Sequence, residues 1–280
     1  MTPLAFVLVV FIISIAAGVL GSLLGLGGGI VVVPVLTLAM DIDIRYAIGA
    51  SIVSVIATSS GAAAAYVREH MTNLRVAMFL ELATTTGAIS GAFIAGLVDA
   101  RWLFIAFGLL LGYSAFAMLR QPHEHVAANA GDPLADRLRL HGAYYDEAAG
   151  QQIDYRVRHV KLGLVLMYLA GAVSGLLGIG SGAFKVPALD LAMGLPIKVS
   201  TATSNFMIGV TAASSAGVYF SRGDIDPFVA APVSAGVVLG AFAGSRLLSR
   251  LPAGRLRMAF VAVLLVIAAQ MLYHGTIGHE

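Results

Sequence analysis

The chain has 280 residues, of which 59% are hydrophobic and only 11% charged, against roughly 45–50% and 25% in a typical soluble domain. So little polar surface cannot cover a globule of this length, and bilayer hydrocarbon is its natural solvent. The absence of Cys excludes disulfides, zinc-thiolate centres and Cys nucleophiles. A net charge of +2, with no basic residues interleaved with aromatic platforms, excludes nucleic acid as a partner.

The first apolar run is Pro3–Met40, and no Lys or Arg precedes Arg45. A cleavable leader needs a positive start, so this run is expected to stay in the mature protein. It is broken at Gly25-Leu-Gly-Gly-Gly29, followed by Pro34. Three more runs follow, Tyr46–Val67, Leu74–Val98 and Trp102–Leu119, each near the roughly 20 residues of a spanning helix. Between Arg120 and Lys161 the chain changes character. Six basic and six acidic residues crowd this window, which reads as a solvated loop with a short helix around Pro133–Tyr145. Beyond it come Leu162–Met193, broken at Gly178-Ile-Gly-Ser-Gly182 and followed by Pro187, then Val199–Phe220, Phe228–Leu248 and Met258–Tyr273. The expected division is a first membrane repeat, 1–119, a linker, 120–161, and a second membrane repeat, 162–280.

The two halves match each other at a shift of 153 without a gap. Gly18, Gly25, Gly27 and Gly29 fall on Gly171, Gly178, Gly180 and Gly182. Pro34 falls on Pro187, Ser51 on Ser204, Thr58 on Thr211, Tyr66 on Tyr219, and Gly87/Gly91 on Gly240/Gly244. Chance matching of common Gly and Ala does not account for the Pro and Tyr pairs at the same offset.

Charge counting sets the topology. With each broken run read as a U that enters and leaves on one side, thirteen basic residues share one side, three share the other, and Lys185 lies inside the membrane. With each broken run crossing once, the division is seven against nine. The positive-inside rule selects the U, puts the 120–161 loop in the cytoplasm and leaves both termini outside the cell (inner) membrane. A tight hairpin of two full crossings gives the same sides, but the eleven residues left after each glycine cluster rise only about 16 Å, roughly half the hydrocarbon thickness. Each half then crosses three times, and the second is inverted relative to the first. The expected fold is therefore an all-α polytopic membrane protein of two inverted repeats, each a U-shaped broken helix plus three transmembrane helices.

Unwound backbone at depth is tolerated only beside protein or a wet cavity, and glycine turns let backbone approach closely. Each cluster opens a helical leg whose N-terminus favours anions. Gly25, Gly27, Gly28 and Gly29 with Pro34, and Gly178, Gly180, Ser181 and Gly182 with Pro187, are the candidate anion pocket. The competing reading is close helix packing of the GxxxG kind. Lys185, in the first turn of the second leg, is an ionisable residue at depth and a candidate anion ligand, with Asp190 its nearest candidate partner. Glu81 and Asp190 are candidates for proton coupling. The helices after each U carry Ser51, Ser54, Thr58, Ser59 and Ser60, and Thr201, Thr203, Ser204, Asn205 and Thr211. Most are expected to serve interhelical hydrogen bonds. Ser51 and Ser204, as repeat mates, and Asn205, as the costliest to bury, are the candidate oxyanion donors. Gly87/Gly91, Gly236/Gly240/Gly244 and Gly108/Gly112 are expected to be packing faces. None of the seven His lies deep in an apolar run, and no HExxH or nucleophile elbow occurs. Enzymatic function, a metal site and a cofactor are therefore not expected.

The segments Gly21–Pro34, Gly175–Pro187, Ala202-Thr-Ser-Asn-Phe206 and Tyr219-Phe-Ser-Arg-Gly-Asp-Ile-Asp226, followed by the Gly236–Gly244 stretch, resemble the TauE/SafE sulfite-exporter family over nearly the whole chain outside the linker. The resemblance implies an inverted-repeat transporter with U-shaped helices, acting on sulfur oxyanions such as sulfite or on organosulfonates. Ser181, where that family has Gly, and Lys185, where it has an apolar residue, are departures inside the pocket. They keep a carboxylate or larger anion open as the substrate. The partners expected are a small anionic substrate, the lipid bilayer and, as one option, a second copy in a homodimer. The competing function is a membrane assembly protein without flux.

Overall fold

The computed structural model describes residues 2–24, 29–68, 71–119, 132–146, 150–248 and 253–277. Its first half contains α1 (Pro3–Leu24), α2 (Gly29–Met40), α3 (Ile44–Arg68), α4 (Leu74–Leu97) and α5 (Ala100–Leu119). Its second half contains α7 (Val160–Leu177), α8 (Gly182–Pro187), a π-helical turn (Ala188–Ala192), α9 (Ile197–Ser221), α10 (Pro227–Leu248) and α11 (Ala253–Thr276). The apolar runs read from sequence are these helices, with ends moved by a few residues. The largest shift is at α11, which begins at Ala253 and not Met258.

Helix starts keep the repeat offset. Ile44, Leu74 and Ala100 open helices in the first half, and Ile197, Pro227 and Ala253 open their counterparts. The packing keeps it too. α1 lies on α10 and α7 lies on α4, while α3 meets α9 and α5 meets α11. Exchanging each helix for its repeat mate turns this set of pairs into itself. The halves are thus interlocked, and one buried core draws Val33, Leu36 and Leu111 from the first half with Ile179, Tyr219 and Leu264 from the second.

The closest crossings are made by glycine. A Cβ added to Gly87 would strike the Tyr168 carbonyl, and one on Gly175 would strike the Ala88 carbonyl. At the mirrored crossing, Gly18 and Gly240 lie against the backbones of Val237 and Ile15. Small residues that let helix backbones touch are the signature of packing in lipid. Gly108 packs on α11, but Gly112 faces open space, which corrects its reading as a packing residue.

The outward faces are apolar. Ile12, Leu82, Phe93, Leu97, Leu169 and Phe242 are all exposed, as helices solvated by hydrocarbon require. Among the described residues, α4 and α7 are long and apolar enough to cross a membrane unaided by further turns.

The linker departs from expectation. Its helix, α6 (Pro133–Arg137), is a single turn, and Gly142–Asp146 (β1) pairs antiparallel with Gln151–Tyr155 (β2) in the register Gly142 to Tyr155. The segment is also not fully solvated. Ala135, Leu140, Tyr144, Tyr155 and Val157 form a buried cluster with Val76, Leu80, Met193 and Leu195. Asn73 fastens it. The Asn73 Oδ1 caps α4 by accepting from the Val76 N–H at 3.1 Å, and its Nδ2 donates to the Leu140 carbonyl and the Tyr155 hydroxyl, each at 2.9 Å. Burial pushes the Tyr155 phenol up from its ordinary value, opposed by the Asn73 hydrogen bond.

Candidate functional site

The second glycine turn is the part of the candidate pocket that the structure describes in full backbone. α7 ends at Gly178, which takes φ +66°, and α8 begins after Ser181, at φ +44°. A left-handed conformation is free for glycine but costs a residue with a Cβ about 1–2 kcal/mol. The four residues from Gly178 to Ser181 break the hydrogen-bond ladder, and all of them are buried. Pro187, which has no N–H to donate, closes α8. The chain then slips to the wider spacing in which the Met193 N–H donates to the Ala188 carbonyl at 3.1 Å. Asp190 sits buried in that π turn.

The first half touches this turn directly. The Ser51 hydroxyl donates to the Gly178 carbonyl at 2.8 Å. A Cβ on Gly29 would lie 2.6 Å from the Ser51 Oγ and 3.2 Å from the Gly178 oxygen. Gly29 at the head of α2 and Gly178 at the end of α7 are therefore neighbours. Gly25, Gly27 and Gly28 lie outside the described residues. Pro34 is buried within α2.

One face of α9 lines the other side. Ser204, Ile208, Thr211 and Ser215 recur at helical spacing, and all four are buried. Ile208 fills the space against Gly180 and Gly182, and the Ser204 Oγ stands 4.0 Å from where a Gly182 Cβ would be. Asn205, one position on, turns away and donates to the Thr201 carbonyl of its own helix at 3.1 Å.

Lys185 is fully enclosed. Its Nζ donates to the Thr211 hydroxyl at 2.6 Å, and that hydroxyl lies 2.7 Å from Glu81 Oε1 on α4. That hydroxyl ties Lys185 of the second half to Glu81 of the first. Seven enclosed side-chain polar atoms have no hydrogen-bond partner among the described residues, and three of them belong here: Ser181 Oγ, Ser204 Oγ and Glu81 Oε2. Buried polar atoms are nearly always paired, so this concentration marks the place where the protein holds unused polar capacity.

Sequence reasoning counted Thr211 among the hydroxyls mostly expected to bond between helices and left it out of the candidate anion donors. Its position seven residues after Ser204, on the same helical face, was the available signal. It also missed the latch at the far end of α9. There the Tyr219 hydroxyl donates to the Gly175 carbonyl at 2.8 Å. The Arg222 guanidinium stacks over the Tyr219 ring, pairs with Asp224 and donates to the Ala92 carbonyl. Two apolar recesses, of about 570 and 520 Å³, open elsewhere, against Trp102 and Leu176 and against Leu38 and Tyr273. No group of three metal-ligating side chains gathers among the described residues.

The chain matches the sulfite exporter TauE/SafE family over residues 10–271. It belongs to that family. Its relatives are named as membrane transporters, consistent with the lipid-facing surface described above. A probable membrane transporter protein, YunE of Bacillus subtilis (strain 168), is 25% identical over 97% of this chain and 99% of its own length. One from Xylella fastidiosa (strain 9a5c) is 28% identical over 90% of each chain. MJ0441 of Methanocaldococcus jannaschii, also a probable membrane transporter protein, is 23% identical over 93% of each. No solved structure is significantly similar to the chain.

Proposed function

We propose that this TauE/SafE transporter carries small anions, sulfite or an organosulfonate first among them, by alternating exposure of a site where Gly29 of the first half meets the turn at Gly178–Ser181. The observation that carries the reading is the pair of enclosed hydroxyls of Ser181 and Ser204, neither with a partner among the described residues, beside the turn at Gly180–Gly182. Hydroxyl donors suit an oxyanion, and leaving two of them unpaired costs about 1–3 kcal/mol each. An anion bound there would recover that cost, with Lys185 supplying positive charge.

The scaffold reading that goes with it is a pair of inverted repeats. α2 has twelve residues and rises about 18 Å, too short for roughly 30 Å of hydrocarbon. A leg of that length suits a U that returns to its own side. Three crossings per half then invert the second half, with the termini outside and the linker in the cytoplasm, as the charge count favours. The helix pairs that persist when repeat mates are exchanged are the contacts expected of two halves that rock against each other. Lys185 and Ser181 also favour a second substrate class, small carboxylates, because a buried ammonium gives a stronger anion site than a glycine turn alone.

The test is uptake into proteoliposomes of sulfite, isethionate and a short carboxylate. Saturable uptake with counterflow supports a carrier, uptake without saturation makes it a channel, and no flux of any anion leaves an assembly role. Ser204→Ala should raise KM for the transported anion while the protein still inserts and elutes as the wild type does.

A further inference from the structure

Lys185 and Glu81 are joined across the two halves by a single hydroxyl. Lys185 rises from α8 and Thr211 from α9, whereas Glu81 belongs to α4. The Thr211 Oγ has one proton, and it faces two acceptors, Glu81 Oε1 and the Met207 carbonyl, both at 2.7 Å. Lys185 donates into its lone pair. The order of donation is ammonium to hydroxyl to carboxylate. Thr85 adds a longer contact to the same carboxylate oxygen, at 3.3 Å. Oε2, the other oxygen, is enclosed and has no partner among the described residues.

The repeat supplies an internal control. The positions equivalent to Lys185, Thr211 and Glu81 are Val32, Thr58 and Ser234. The Thr is kept and both charges are gone, so the helix packing itself does not call for an ion pair. Paired charges at depth are expensive and mark function by default. Arg75 on α4, Lys161 and Tyr168 on α7, Lys198 on α9 and His159 at the head of α7 are exposed. Arg158 lies against Gly194. Arg222 meets α4 at Ala92, eleven residues and about 16 Å beyond Glu81. Asp190, in the π turn that follows α8, is buried as well.

Building on the anion-carrier reading, we propose that Glu81, Thr211 and Lys185 form a proton-for-anion switch. With the site empty, Glu81 neutralises Lys185 through Thr211. An anion arriving at Ser181 and Ser204 takes over the ammonium, which sits on a flexible stem rooted one helical turn from Ser181. The Glu81 carboxylate then accepts one proton from the aqueous phase at Oε2 and becomes a neutral acid. Charge balance is kept, since one anion and one proton enter together and no bond to carbon or sulfur changes. The relay across α4 and α9 can re-form only after both have left.

Isethionate is the probe, because it stays a monoanion across the pH range and cannot itself carry the proton. In proteoliposomes of the full chain, a pH gradient, acid outside, should drive its accumulation. Glu81→Gln should reduce that accumulation about tenfold, a typical strength for coupling between two sites, a larger loss than that of labelled isethionate exchange at equal pH. Lys185→Met should lose both. Gradient-driven accumulation by Glu81→Gln equal to wild type overturns the switch and leaves the carrier reading intact. No isethionate, sulfite or carboxylate flux by the wild type overturns both. A pH dye trapped inside gives a readout that needs no variant. Acidification that accompanies isethionate entry supports the switch, and anion entry without it overturns the switch.

Discussion

The Ser51 hydroxyl donates to the Gly178 carbonyl at 2.8 Å across 127 residues of chain, tying α3 of the first half to the turn that opens α8 in the second. Ser51 was a candidate anion donor by its repeat relation to Ser204, yet the two hydroxyls have opposite circumstances. Ser204 has no partner among the described residues, and Ser51 is committed to a backbone oxygen. The shared sequence position therefore carries a structural tie in one half and unused capacity in the other.

Ser51→Ala should accordingly act on stability. It leaves the buried Gly178 oxygen without its donor, at a cost of about 1–3 kcal/mol. Thermal unfolding in detergent should show a lower midpoint, with KM for any transported anion unchanged. A raised KM at unchanged stability would return Ser51 to the binding site.

Ser181→Gly should do the reverse. Ser181 holds φ +44°, and its Oγ is buried without a partner among the described residues. Glycine relieves both, so the unfolding midpoint should rise by the equivalent of about 1 kcal/mol. If the hydroxyl binds substrate, the same variant should transport with a higher KM. A more stable protein with an unchanged KM would exclude Ser181 from the anion site.

Much of this was legible in the sequence, for reasons that also explain what was not. The 153-residue offset located the helices because each repeat must bury the same stripe. Gly87 and Gly240 announced close crossings because small residues have few other uses in a lipid-solvated helix. Thr211 was hidden because a Ser or Thr in a membrane helix looks the same whether it bonds its own backbone or bridges two charges. Its partner Glu81 lies 130 residues away, in the other half. The linker hairpin was hidden because its polar faces dominate the composition, while Leu140, Tyr144 and Val157 find their apolar partners on α4 and beyond α8.

The contrast between Gly175 and Gly112 tests the packing claim. Gly175→Val would drive a side chain into the Ala88 carbonyl, and backbone cannot yield as a flexible side chain can. Loss of folded protein on size exclusion is expected. Gly112 has nothing within 4 Å of a new Cβ, and Ala in a helix interior is favoured over Gly by about 0.8–1 kcal/mol. Gly112→Ala should therefore be neutral or mildly stabilising. Aggregation of Gly112→Ala, or full recovery of Gly175→Val, would contradict the crossing geometry.

The linker should respond to acid through Asp132. Its Oδ2 accepts from the Val160 N–H and its Oδ1 from the Leu134 N–H, each at 2.8 Å, so one carboxylate caps both α6 and α7. These bonds hold the Asp132 carboxyl below its ordinary value, the Val160 bond contributing most. Because the folded value is the lower one, the stabilisation is fully present above the unfolded value, near about pH 4, and is lost as pH falls through the depressed folded value. Asp132→Asn should loosen the linker at neutral pH, seen as faster hydrogen exchange at Val160 and Leu134. Wild type and variant should converge as acid protonates Asp132. Equal exchange rates in the two proteins at pH 7 would mean that the α7 start is held by the buried cluster around Leu140 and Tyr155, and that the cap adds nothing.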